Sequence, residues 1–154
     1  MKLNIIFISV VFAAFLSFQV YASFEISVTT DKESYQLGES VDISISVFNS
    51  ASTSETLWGG FYFTTYIMDG IYDWADRPAP HVVRQLTFLP EETKTWEMSH
   101  GFNEMQVYPL TIGTHSVIGG AGYSLRSAPV EFQVIPEPAT LFLLTLGTVL
   151  LRKK

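Results

Sequence analysis

The sequence predicts an all-β body between residues 23 and 135, an antiparallel sandwich of seven or eight short strands. It is flanked by an N-terminal signal helix and a short C-terminal transmembrane helix. Three observations predict this. Val41, Ile43, Ile45 and Val47 alternate with Asp42, Ser44 and Ser46, the period-2 pattern of a half-buried strand. Asp69-Gly70 stands between Ile67-Met68 and Ile71-Tyr72, a strong two-residue hairpin signal of type I′. Turn residues recur about every eight to twelve positions, and no stretch sustains a helical period.

Taken in order, Phe24 to Thr30 alternates, with Phe24, Ile26 and Val28 on one side. Asp31 to Ser34 is a turn, and Tyr35 to Ser40 leads into the strand at Val41 to Asn49. Ser50 to Glu55 is a polar loop. Thr56 to Met68 is aromatic and β-branched, and Gly59-Gly60 is expected to bend or bulge it. After the Asp69-Gly70 hairpin come Trp74 and an irregular loop from Asp76 to Pro80. His81 to Leu89 reads as a strand, Pro90 to Glu92 as a turn and Thr93 to Met98 as a strand. Met105 to Leu110 gives no clear signal; Gly113 to Ile118 and Pro129 to Ile135 close the body. This number and spacing of strands suits an immunoglobulin-like sandwich.

The N-terminus has its own chemistry. Met1-Lys2 is a minimal cationic segment, Leu3 to Phe18 is apolar, and Val20-Tyr21-Ala22 places small residues before Ser23. That is a secretory signal peptide over residues 1–22, with cleavage expected between Ala22 and Ser23. The remaining body holds fourteen acidic residues against five basic ones, Lys32, Arg77, Arg84, Lys94 and Arg126, a net of −9. Such a balance argues against nucleic acid or anionic lipid as partners. The chain has no cysteine, which removes disulfides, thiol catalysis and thiolate metal sites.

Residues 136–154 form a second hydrophobic end. Pro136-Glu137-Pro138 stops a strand, because proline cannot donate to a ladder, and Pro138 suits the first position of a helix. Ala139 to Leu151 is apolar, and Arg152, Lys153 and Lys154 follow. Thirteen residues span roughly 20 Å as helix against about 30 Å of hydrocarbon, so the cations would snorkel to the cytoplasmic headgroups. A buried terminal helix is the plain alternative; the lack of a polar face and the purely cationic closure favour the membrane. The segment resembles a PEP-CTERM sorting signal: the Pro136, Glu137, Pro138 triplet, a short apolar helix and a basic cluster. The resemblance implies recognition by an exosortase, a membrane cysteine protease of Gram-negative bacteria that make exopolysaccharide. It also implies cleavage near the triplet, with release or transfer of the body to the cell surface or matrix.

Lys32, Tyr35, Leu37-Gly38-Glu39, Val41, Ile43 and Phe48-Asn49 form an opening similar to that of bacterial immunoglobulin-like modules. With the hairpin at Tyr66 to Trp74, the segment Leu89 to Trp96 and Ile112 to Val117, the body resembles the BsuPI-type intracellular proteinase inhibitor domain. Two positions depart from that family: Glu91 stands where glycine usually follows the proline, and the proline usual before Gly113 is absent. In the opening, Gly38 suits a turn that needs positive φ, and Tyr35 is expected to pack at the end of the sandwich.

Candidates for chemistry are few. His81, His100 and His115 are the only imidazoles, and no Gly-x-Ser-x-Gly elbow accompanies them. Gly119-Gly120-Ala121-Gly122 lacks the Lys and Ser/Thr of a phosphate loop and reads as strand-bend glycines. Asp69, Asp73 and Asp76, with His81 nearby, are hard ligands in loose array, but not at EF-hand spacing. Trp74 and Trp96 read as core, while Trp58 beside Gly59-Gly60 is a candidate glycan contact. The expectation is a non-enzymatic surface or matrix protein with no cofactor or metal, whose partners are an exosortase, the membrane and exopolysaccharide or a surface protein. The alternative is a protease inhibitor working through the proline-stiffened loop Arg77, Pro78, Ala79, Pro80.

Overall fold

The computed structural model describes residues 23–76, 79–101 and 109–138. Its strands are β1 Phe24–Thr30, β2 Ser34–Gln36, β3 Val41–Asn49, β4 Glu55–Gly59, β5 Thr64–Met68 and β6 Tyr72–Asp73. A single 3-10 turn at Trp74–Asp76 follows, then β7 Arg84–Phe88, β8 Thr93–His100, β9 Gly113–Ala121, β10 Leu125–Arg126 and β11 Val130–Ile135. The body is therefore all-β, with more and shorter strands than the seven or eight expected. The signal peptide and the segment from Ala139 onward lie outside the described residues. No described helix is long and apolar enough to cross a membrane.

One sheet runs β1-β3-β8 and a second runs β2-β11-β9-β5-β6, with β10 beside β9; β4 and β7 form a separate ladder. Every ladder is antiparallel except β2 with β11, where Tyr35 pairs parallel with Val134. The alternation at Val41–Val47 holds, since all four apolar residues are buried while Asp42 is exposed. Val28, Ile43 and Ile45 from the first sheet meet Tyr66, Met68, Val117, Phe132 and Val134 from the second in one core. A smaller cluster around Val47, Phe88 and Ala121 takes in Leu57 and Leu86 from the β4–β7 ladder. Burying side chains of this size supplies about 1.5–3 kcal/mol each before entropy is counted.

Three turns show how local chemistry sets the path. At Asp69-Gly70 both residues have positive φ, 51° and 68°, and Ile71 N–H closes the turn on the Met68 carbonyl at 2.9 Å. A hairpin turn forms where expected, but the connection is three residues rather than two, because Met68 pairs with Tyr72 and leaves Ile71 as an extra residue. Gly38 has φ 91° in the turn closed by Glu39 N–H on the Gln36 carbonyl. Tyr35 is buried, edge-on to Phe132 at 5.4 Å, with its hydroxyl donating to Asp31 at 2.5 Å.

Some elements differ from expectation. Gly59-Gly60 does more than bend one strand: β4 ends at Gly59 and pairs with β7, while β5 starts at Thr64 and pairs with β9. The strand expected over His81 to Leu89 begins only at Arg84, because His81 to Val83 makes no ladder. Ser34 opens β2 rather than closing a turn.

Candidate binding cleft and sorting motif

The chain switch between β4 and β5 opens a cleft of about 500 Å³. It is lined by Phe61 and Tyr62 from the crossing segment, by Ala79 to Val83, by Thr65, and by Tyr123 and Arg126 from the β9–β10 turn. The aromatic rings support one another: Phe61 and Tyr62 meet edge-on at 5.1 Å, and Tyr62 meets Trp74 at 6.1 Å. The Arg84 guanidinium sits 5.0 Å from the Phe61 ring centroid, a cation–π contact.

The glycine run of β9 builds the other part of the cleft. Arg126 pairs with Gly120 in the β9–β10 ladder. A Cβ at Gly120 would meet the Arg126 guanidinium at 2.8 Å and the Thr65 hydroxyl at 2.7 Å, so the absent side chain is what lets Arg126 lie there. Arg126 Nη1 also donates to the Leu125 carbonyl at 2.8 Å. Gly122, at φ 61°, donates to the Phe63 carbonyl, and Tyr123 N–H donates to the Trp58 carbonyl at 3.1 Å. Tyr123 is held in the turn by that bond while its side chain stays exposed. The run is thus packing and turn chemistry: at Gly119 a Cβ would come within 3.0 Å of Val28 and 3.2 Å of Ile45 of the facing sheet.

The histidines occupy three different settings. His81 lines the cleft. His100 is buried, and its Nδ1 pairs with the Tyr66 hydroxyl at 2.9 Å. His115 Nδ1 meets Asp69 Oδ2 at 2.6 Å, and its Nε2 meets the Thr111 carbonyl at 2.7 Å. The nitrogen that a serine nucleophile would require is therefore already engaged at His115. Asp69 Oδ1 also accepts the Ser116 N–H at 2.6 Å, and Asp73 accepts the Ala75 N–H at 2.8 Å. Asp69 and Asp73 thus serve the hairpin and the following turn. Among the described residues no group of three or more His, Asp or Glu is arranged for a metal.

Ala79 and Pro80 line the cleft, whereas Arg77 and Pro78 lie outside the described residues. Ser23 is the first described residue, and its carbonyl accepts the Ser50 N–H at 3.0 Å; Ala22 lies outside. Pro136 follows β11 half-buried, Glu137 and Pro138 are exposed, and Pro138 takes up helical backbone. Arg152, Lys153 and Lys154 lie outside the described residues. Trp58 is 53% exposed, and Trp96 packs on Phe63 at 5.6 Å. Sequence reasoning missed the cleft itself, because its residues are spread over more than sixty positions between Gly60 and Arg126. The available signal was the scarcity of base: Arg84 and Arg126 are two of only five cations in the body.

No family model matches the chain, and no curated protein matches it. Solved structures are similar to parts of the chain. An alkylpurine DNA glycosylase of Pseudomonas fluorescens bound to DNA is similar over 73% of this chain and 30% of its own, at 16% identity and TM-score 0.50. A β-glucosidase from Erythrobacter marinus is similar over 73% of this chain and 15% of its own, at 14% identity and TM-score 0.48. A CARDB domain from Pyrococcus furiosus, in complex with di-metal ions, is similar over 74% of this chain and 94% of its own, at 8% identity and TM-score 0.49. The chain spans less than a third of the length of the two enzymes. At 16% identity the likeness to the glycosylase concerns fold alone.

Proposed function

We propose that this is an exported surface or matrix protein whose tail is taken by an exosortase and whose body is a non-catalytic immunoglobulin-like binding module. The observation that carries the reading is the position of the Pro136-Glu137-Pro138 triplet. It follows directly on the last strand, β11, and Glu137 and Pro138 are exposed, so a membrane protease would reach it without unfolding the body. The apolar stretch and basic cluster that follow complete the PEP-CTERM resemblance. Support for the immunoglobulin-like assignment comes from strand order: β1-β3-β8 facing β11-β9-β5 corresponds to the A-B-E and G-F-C strands of that sandwich. The protease-inhibitor alternative has less behind it. Ala79 and Pro80 line a concave surface, whereas an inhibitory loop must project into another protein's cleft.

The test is export with and without residues 136–154 in a host that carries an exosortase. The reading expects the intact chain to pass through a membrane-bound form to a shorter surface or medium form. Equal rate and equal processing of both versions would overturn it.

A further inference from the structure

We propose that the cleft between the β4–β5 crossing and the β9–β10 turn binds acidic carbohydrate, with Arg126 pairing a sugar carboxylate and Tyr123 and Phe61 offering ring faces. This deepens, and rests on, the reading of the body as a binding module. The first observation is charge segregation. Among the described residues no acidic side chain lines this cleft, although Asp76 adjoins its lining residue Ala75; the lining holds Arg126, and the Arg84 guanidinium lies over the lining ring of Phe61. The second observation is the preparation of Arg126. The missing side chain at Gly120 makes room for the guanidinium beside Thr65. The bond to the Leu125 carbonyl uses one of its five N–H donors, and the planar fork suits a carboxylate. The third is surface character. Tyr123 is 61% exposed at the cleft and Trp58 is 53% exposed near it, joined through the Tyr123 N–H bond to the Trp58 carbonyl. Exposed rings beside a cation give a ligand with apolar C–H faces and a negative charge more contact than either an inorganic anion or a neutral sugar.

The test is affinity electrophoresis of the full-length chain in mild detergent, through native gels containing polygalacturonate, dextran or polyglutamate. Polygalacturonate should retard the wild type, added salt should weaken that retardation, and dextran should have no effect. Arg126→Gln and Tyr123→Ala, both at exposed positions, should each weaken binding about tenfold while melting like the wild type. Absence of retardation, equal retardation of Arg126→Gln, or equal retardation by dextran would overturn the proposal. Polyglutamate retarding as strongly as polygalacturonate would overturn it in favour of an acidic peptide. Binding is read on purified chain, so its failure leaves the export reading intact, and a failure of export leaves the binding readable.

Discussion

The side-chain amide of Asn49 donates to the Leu89 carbonyl at 2.9 Å from a position with no solvent exposure. The same amide donates to the Thr53 carbonyl at 2.9 Å, and its oxygen accepts the Ala51 N–H at 3.1 Å. One residue thus ties the end of β3 to the following loop and to the turn before β8. Buried backbone groups left without partners cost about 1–3 kcal/mol each. Asn49→Ala should therefore destabilise the protein by about 2–3 kcal/mol, read as a lower urea midpoint at unchanged slope.

Glu91 occupies the left-handed region at φ 57°, in the turn closed by Glu92 N–H on the Leu89 carbonyl at 3.1 Å. With Pro90 before it, this is the residue of a type II turn that glycine fills best. A side chain in that region costs about 1–2 kcal/mol, partly offset by the extra freedom that glycine has in the unfolded chain. Glu91→Gly should stabilise the protein by about 0.5–1 kcal/mol, read as a raised urea midpoint. An unchanged or lowered midpoint would contradict the assignment of strain.

Gly119 and Gly60 make a contrasting pair. A Cβ at Gly119 would press on Val28 and Ile45 of the opposite sheet, while one at Gly60 would meet nothing within 4 Å. Gly119→Ala should cost about 1–3 kcal/mol by forcing the sheets apart. Gly60→Ala should be neutral or gain up to about 1 kcal/mol through the unfolded state. Thermal melts of the two variants check the difference.

Burial, and then the bond to Asp31, push the Tyr35 hydroxyl up to about 12 from its ordinary value of 10.0. The Tyr35 bond also holds the Asp31 carboxyl below its ordinary 3.8. The advantage of wild type over Tyr35→Phe should thus be complete below pH 10.0 and vanish as pH rises through about 12. At the acid end it should be present above pH 3.8 and fall as Asp31 takes up its proton below that value. Near neutral pH the hydroxyl bond contributes about 1 kcal/mol. Denaturant titrations of both proteins across this range measure it.

Much of the body was legible because its signals are local. The Val41–Val47 alternation and the Asp69-Gly70 turn each specify their element within a few residues; the structure realises the first, and places the second where expected with one more residue, Ile71, in the connection. β2 and β10 were not legible. They are three and two residues long, and what makes them strands is a partner far away, Val134 for Tyr35 and Gly120 for Arg126. The same reason hid the cleft. Phe61 reads as strand filler, and Arg126 as an isolated charge, until the β4–β5 crossing and the β9–β10 ladder bring them to one surface. Gly119 to Gly122 carried the clearest hint, since that many glycines in a strand mark close approach by something, here a sheet, a guanidinium and a carbonyl.

Whether the body is exported and freed of both hydrophobic ends, as proposed, is read by intact-mass measurement of the mature protein from its native host. The expected product begins at Ser23 and ends near Pro136 to Pro138, recovered at the surface or in the medium. A chain running intact from Met1 to Lys154 in the cytosolic fraction would contradict it.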